Sequence, residues 1–151
     1  MKKDVSVRLY QASDKDDVIA LWEAAFPDDP PWNKPVDIIR NKLSHQPDWF
    51  FVCHCDGQLV GTVIASYDGV RGWVQKVASH PDYRRRGIAS ALMSTAEQTL
   101  RNAGCPKLNL QTRTENSKAI AFYKEAGYII EDRVSMSKLL EFVTACNCQD
   151  S

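Results

Sequence analysis

The sequence predicts one mixed α/β (α+β) domain, with a mostly antiparallel sheet of about seven strands flanked by about four helices. Three observations carry this. An antiparallel meander runs through the middle of the chain, where apolar stretches alternate with Asp-Gly turns. A strand–helix–strand run follows over 73–113, which suits a right-handed crossover between parallel strands. The length of 151 residues, with 44% hydrophobic and 25% charged, fits one domain with its own core.

Val5 to Tyr10 alternates and reads as the first strand. Ser13 with Asp16 resembles a helix-capping pair, and Val18, Leu21, Trp22 and Ala25 then recur on one helical face. Phe26 to Pro35 holds four prolines and two aspartates and must be a loop. Val36 to His45 reads as a second short helix with Ile39 and Leu43 facing inward. Trp49 to Cys55 is a strand, Asp56-Gly57 a hairpin turn in which both residues accept positive φ, and Leu59 to Tyr67 the return strand. A second turn, Asp68 to Gly72, leads into Trp73 to Ser79. From Gly87 to Ala103, Ile88, Leu92, Ala96 and Leu100 recur every fourth position, a helix with a narrow buried stripe. Gly104 ends it and Pro106 prevents its continuation. Lys107 to Arg113 is the next strand. Asn116 or Ser117 caps a helix carrying Ala119, Phe122, Tyr123 and Ala126, which Gly127 ends. Tyr128 to Glu131 and Val134 to Leu140 complete the expected sheet, and 141–151 reads as a frayed tail of the single domain 1–151.

Charge and composition remove several functional classes. Nineteen basic residues balance nineteen acidic ones, whereas a general nucleic-acid binder carries an excess of positive charge. No apolar run reaches membrane-spanning length, and Met1-Lys2-Lys3-Asp4 does not open a signal peptide, so a cytoplasmic protein with no membrane partner is expected. The odd count of five cysteines suits reduced thiols. Cys53-His54-Cys55 and Cys146-Asn147-Cys148 have a one-residue spacer where zinc sites use two to four, so no metal site is expected. Cys53 and Cys55 instead fill one face of a strand.

The segment from Val77 through His80-Pro81-Asp82-Tyr83-Arg84-Arg85-Arg86-Gly87-Ile88-Ala89 is the most telling. A strand ends in a proline turn, three arginines follow, and a helix begins at a glycine. A helix N-terminus offers unpaired N–H groups and the positive end of its dipole, and neighbouring arginines add charge-assisted donors. That combination suits a phosphate or pyrophosphate, with Gly87 and Ala89 small enough for close backbone approach. Taken alone, three arginines are an ordinary solvated surface; their position between strand and helix is what gives them meaning. A second element, Asn116 through Ala119 and Phe122-Tyr123 to Gly127-Tyr128, lies on the far side of the crossover, so one ligand can touch both.

With these two elements, in this order and separation, the chain resembles the GCN5-related N-acetyltransferase (GNAT) family from Val5 to about Leu140. Within it, Tyr67 to Gly72 and Pro31-Trp32-Asn33 are most similar to a subgroup of small bacterial acetyltransferases. The resemblance implies the GNAT sheet, acetyl-CoA as donor and CoA as product. It implies pyrophosphate on the amides of Arg84, Arg85, Arg86, Gly87, Ile88 and Ala89. The pantetheine arm would lie between splayed parallel strands against the backbone of Val77, Ala78 and Ser79. Asn116 would approach that arm, although asparagine is also a favoured helix cap. Tyr123 would touch the cofactor and act as the general acid, since a phenol can protonate a departing thiolate.

The amine acceptor must also lose a proton. The family often places a carboxylate early on the fourth strand, but Gly72 to Ser79 contains no Asp or Glu. Asp68, Glu23, His80 or a chain of waters remain as the base, and Asp68 is the one assigned to the site; before Gly69 it also suits a simple turn. Trp32, Tyr67 and Trp73 are assigned to the acceptor pocket, with Asp28 and Asp29 able to attract a cationic amine. None of the cysteines is placed as a nucleophile, so direct transfer to a primary amine of a small molecule, peptide or protein in a ternary complex is expected. An acyl-CoA-binding sensor without turnover is the alternative, kept open by the missing strand carboxylate. A nucleic-acid module built on Arg84 to Arg86 suffers from the zero net charge. A homodimer is compatible with the sequence.

Overall fold

The computed structural model describes residues 5–140. The expected frayed tail over 141–151 lies outside the described residues. Five strands form one mixed sheet in sequential order: β1 (Val5–Leu9), β2 (Phe50–Cys55), β3 (Gln58–Tyr67), β4 (Gly72–Ser79) and β5 (Leu108–Asn109). β1 to β4 are antiparallel neighbours, and β5 pairs parallel to β4. Four α-helices accompany them: α1 (Lys15–Ala25), α2 (Pro35–Leu43), α3 (Ile88–Asn102) and α4 (Ser117–Glu125). No helix among the described residues is long and apolar enough to cross a membrane.

The helices cover both faces of the sheet, and strand alternation sorts the core between them. Phe50 and Val52 pack with Val18, Leu21 and Trp22 of α1 and Ile39 of α2. Phe51, Cys53 and Cys55 point the other way, onto Ile88, Leu92, Met93 and Ala96 of α3. The expected stripe of Ile88, Leu92, Ala96 and Leu100 is buried throughout. The Asp56-Gly57 hairpin has φ +55° and +78°, the left-handed pair a two-residue turn requires. Gly61 has no room for a side chain: a Cβ there would lie 2.7 Å from Ile88 and 2.8 Å from Leu92, so this glycine lets α3 close onto β3.

Several expectations are corrected. The sheet has five strands among the described residues, not seven. Residues 128–140 alternate like strands but form no backbone ladder among the described residues. Side-chain bonds tie them to 107–111: Lys107 and Asn109 donate to Glu131, and Gln111 donates to Ser135. Ile129, Ile130, Val134 and Met136 are exposed, so no buried face fixes a register for them. β5 keeps two residues of the expected 107–113 because its partner β4 departs after Trp73. The first helix is not capped by Ser13 with Asp16. Asp14 receives the Gln11 N–H at 2.8 Å and a two-pronged bond from Arg8 at 2.7 and 2.8 Å, which holds its carboxyl below the usual range. On α2, Ile39 is buried, but Leu43 is exposed and Lys42 turns inward instead. The Lys42 stem covers the sheet and its Nζ donates to the Ala65 carbonyl at 2.6 Å.

Two measurements check this packing. Gly61→Ala should lower unfolding free energy by about 1–3 kcal/mol, the usual scale of overpacking, read as a lower urea midpoint at unchanged slope. Burial pushes Lys42 down to about 8 from 10.5. Between those values the unfolded chain holds a proton that the folded protein has released, so stability should rise as pH rises through this window. Below pH 8 both states are protonated and the full burial penalty is present. Lys42→Met should flatten the rise in urea midpoints measured from pH 7 to 10.5.

Candidate active site

The site grows from one irregularity in β4. Gln75 pairs with Ile64, yet Ala78 pairs with Thr62, so β4 carries one residue more than β3 between these rungs. The extra residue is Lys76, at φ +52°. Its effect shows in the faces: Val74 packs towards α3, whereas Ala78, four residues on, packs towards α1. Without a bulge both would share one face. Thr62, fully buried, holds the kink in place. Its hydroxyl donates to the Lys76 carbonyl at 2.8 Å and accepts from Trp22 Nε1 at 2.8 Å.

The bend also ends the pairing with β5. The ladder stops at Trp73 opposite Asn109, and beyond it β4 has no partner on that side among the described residues. The backbone of Val77, Ala78 and Ser79 therefore borders an open gap. On their other side Ala78 and Ser79 pair with Thr62 and Gly61, and the His80 N–H donates to the Val60 carbonyl at 2.7 Å. Buried Ala78 and half-buried Val77 anchor the strand on opposite faces.

The chain then turns through a short helical turn, Pro81–Tyr83, which His80 caps by accepting the Asp82 N–H at 3.1 Å. Arg84, Arg85 and Arg86 are exposed, and Arg85 and Gly87 take left-handed φ of +65° and +77°. Arg86 rests on the Tyr83 ring and pairs with Asp56 at 3.7 Å. Gly87 precedes α3, Ile88 is buried beneath the first turn, and Ala89 follows it. The first N–H groups of α3 have no intrahelical acceptors, and three arginines stand beside them, a combination suited to an anion.

α4 lines a cleft with Trp73 of β4 and with Leu108 and Asn109 of β5. Asn116 caps it, its Oδ1 accepting the Ala119 N–H at 3.2 Å. Tyr123 packs edge-on against Phe122 and Tyr128 and borders a large cleft of about 1520 Å³, together with Trp73, Leu110 and Thr112. Burial pushes the Tyr123 phenol up to about 12, so it stays protonated near neutral pH and keeps a proton to donate. Tyr128, by contrast, commits its hydroxyl to Glu97 at 2.6 Å.

Other sequence-derived residues are dispersed. Asp68 is exposed in the β3–β4 turn, where Oδ1 accepts from Val70 and Arg71 N–H groups at 2.8 Å each, and these bonds lower its pKa. A carboxylate held low in this way is a weak proton acceptor near neutrality. Trp32, Tyr67 and Trp73 do not line one cavity. Trp73 borders the large cleft; Trp32 is 49% exposed in a turn of the proline loop, and the Tyr67 hydroxyl donates to Gly69 at 3.3 Å. Cys53 is buried and its thiol is pushed up to about 11, which leaves no thiolate near neutrality. Reading the sequence missed Lys76 and Thr62. A lysine in a run otherwise suited to a strand gives no hint of a bulge.

Comparison with known proteins identifies the family and the fold. The sequence profile of the acetyltransferase (GNAT) family matches residues 15–128. A Yersinia pestis protein named acetyltransferase is 41% identical over 138 residues, covering 90% of this chain and 96% of its own. An acetyltransferase of Sodalis glossinidius is 42% identical over 132 residues, covering 86% and 91%. Among solved structures, Ard1 from Thermoplasma volcanium superposes with a TM-score of 0.73 at 25% identity over 84% of each chain. The aminoglycoside N-acetyltransferase AAC(6')-Iy in complex with CoA gives 0.74 at 19% identity, over 92% of this chain and 97% of its own, a likeness of fold.

Proposed function

The chain belongs to the acetyltransferase (GNAT) family and is an acetyl-CoA-dependent N-acetyltransferase, and we propose that it passes acetyl directly to a primary amine in a ternary complex. The observation that supports this reading is the end of the β4–β5 ladder at Trp73 and Asn109, after which the bulged stretch from Lys76 to Ser79 has no partner on that side among the described residues. Acetyl-CoA would supply the activated thioester. The backbone of Val77, Ala78 and Ser79 binds the pantetheine arm in extended form. The amides from Arg84 to Ala89 and the arginine side chains take the pyrophosphate, and Asn116 orients the arm from the cap of α4.

In the chemical step the lone pair of the neutral amine attacks the thioester carbonyl, the C–S bond breaks, the nitrogen gives up a proton to water, and the Tyr123 hydroxyl gives its proton to the departing sulfur and regains one from solvent. None of the thiols among the described residues is placed to take part: Cys53 and Cys55 are buried beneath α3, and Cys105 donates to the Lys107 carbonyl at 3.3 Å. A protonated, well-packed tyrosine beside the gap favours a working enzyme over an acyl-CoA sensor.

The acid assignment is tested by Tyr123→Phe, which keeps the ring and removes the donor. CoA affinity should hardly change, while kcat should fall by roughly 100-fold or more. Wild-type turnover per folded molecule in the variant would remove Tyr123 from the reaction.

The cofactor corner is tested at Gly87. Its φ of +77° suits glycine, and valine there would distort the start of α3. Thermal unfolding of wild type should shift upward with millimolar CoA, and the shift should shrink or vanish in Gly87→Val. Equal shifts in both would place the pyrophosphate elsewhere.

A further inference from the structure

One charged cluster is not used by this scheme. Lys76 leaves the bulge with its side chain across α1, its Nζ 4.4 Å from the centre of the Phe26 ring and 5.5 Å from that of Trp22. There it forms an ion pair with Asp29 from the proline-rich loop. The Lys76 side chain is only 11% exposed. Two aromatic faces and a carboxylate closed around a primary ammonium are the recognition elements of an alkylammonium site. A cavity of about 360 Å³ opens against the same groups and is lined by Trp22, Glu23, Phe26 and Asp29. The cluster thus holds one ammonium, its own, and has an entrance through which another can arrive.

Resting on the acetyl-transfer reading, we infer that Asp29, Trp22 and Phe26 anchor the acceptor, a primary ammonium on an unbranched alkyl stem, which exchanges for the ammonium of Lys76. The exchange conserves charge, because one ammonium replaces another on the same carboxylate. It also demands little of the protein, because lysine is a compact charge on a flexible four-carbon stem. Glu23 on the cavity wall supplies a second negative charge, set against the positive charge of Lys34 on the same wall. Lys76 stands at the bulge itself, so the site is one side chain away from the strand gap in which the thioester is placed. Neutral and anionic acceptors gain nothing from such a cluster. The β4 sequence, without Asp or Glu, gave no negative group to receive an amine; the fold delivers one from the loop between α1 and α2.

The test is calorimetric titration of the CoA-saturated protein with n-butylammonium chloride, and with n-butanol as the neutral isostere. Wild type should bind the ammonium and discriminate against the alcohol. Asp29→Asn should weaken ammonium binding by about tenfold or more, the scale of a lost charge-assisted bond. Lys76→Met, which removes the resident competitor, should tighten it several-fold. Lys76→Gln provides the same comparison should the methionine variant unfold. Weakening by both the Asp29 and Lys76 substitutions, equal binding of the alcohol, or no ammonium binding by wild type would each overturn the site. Comparing 1,5-diaminopentane with Nα-acetyl-lysine amide separates a free diamine from a lysine residue as the source, and stronger binding of either than of n-butylammonium supports the site. Free-thiol release from acetyl-CoA on the same samples judges the reaction independently. Opposite shifts without transfer to any amine would overturn the acetyl-transfer reading and leave the ammonium site standing. Transfer without the opposite shifts would overturn the site alone.

Discussion

The single extra residue in β4 organises the functional half of the molecule. A strand in regular register with β3 would keep Val74 and Ala78 on one face and could continue its ladder along β5. Lys76 in a left-handed conformation does neither. It reverses which face each later side chain meets, and beyond Trp73 it leaves a row of backbone groups with no ladder partner on the β5 side among the described residues. Such groups are costly when buried and valuable when a ligand can pair with them. Positive φ is unusual for a lysine and costs conformational energy, so it persists only where its surroundings determine it. Here they do: the Thr62 hydroxyl takes the Lys76 carbonyl, Trp22 takes the Thr62 oxygen, and the lysine side chain is held by two rings and a carboxylate.

The same threonine ties the gap to the core. Thr62 is one of the few buried polar side chains, and it lies between a helix that caps one face and the kinked strand that makes the site. Removing its hydroxyl would strand two polar groups at once, the Trp22 indole N–H and the Lys76 carbonyl. On the opposite face, close approach has a similar role. Gly61 admits α3 against β3, and Gly72 is crowded by Cys105 and Leu100 at the rung where β4 and β5 still pair. The β4–β5 ladder thus ends directly beyond a tightly packed rung, and the helix whose N-terminus stands beside the three arginines is fixed against the sheet by Ile88 and Leu92.

Much of this was legible in the residues. Asp56-Gly57 gave its hairpin because both positions accept positive φ, and the four-residue repeat of Ile88, Leu92, Ala96 and Leu100 gave α3 and its buried stripe. Arg84 to Ala89 marked the turn before that helix because strand, glycine and helix signals met there. What escaped depends on pairing between distant segments. Alternation in Tyr128–Glu131 and Val134–Leu140 resembles strands, yet alternation specifies a strand only when a partner buries one face, and the described residues provide none. The choice between Leu43 and Lys42 as the inward residue of α2 went against hydrophobicity because an aliphatic stem and one carbonyl acceptor sufficed for the lysine. The bulge at Lys76 has no local signature at all. It follows from a register comparison with β3, and with it the meeting of Lys76, Asp29, Trp22 and Phe26 was invisible to a reading along the chain.

Net charge gives one further lesson about the site. A formal charge of zero argued against a nucleic-acid partner, but the charges are not evenly spread. Arg84, Arg85 and Arg86 gather beside the positive end of α3, while Glu23, Asp28 and Asp29 gather at the end of α1 and the loop after it. The stretch of β4 from Lys76 to Ser79 lies between these two groups in the chain, bordering the gap throughout. On the proposed reading the two ends meet reactants of opposite charge, an anionic cofactor at the arginines and a cationic amine at the carboxylates. An electroneutral domain arranged this way favours each reactant at its own end of the gap, and unlike an excess of one charge it gives neither of them a reason to bind along the whole surface. Selectivity then resides in the distance between the charged ends, which is set by the few strand residues between the bulge and the turn.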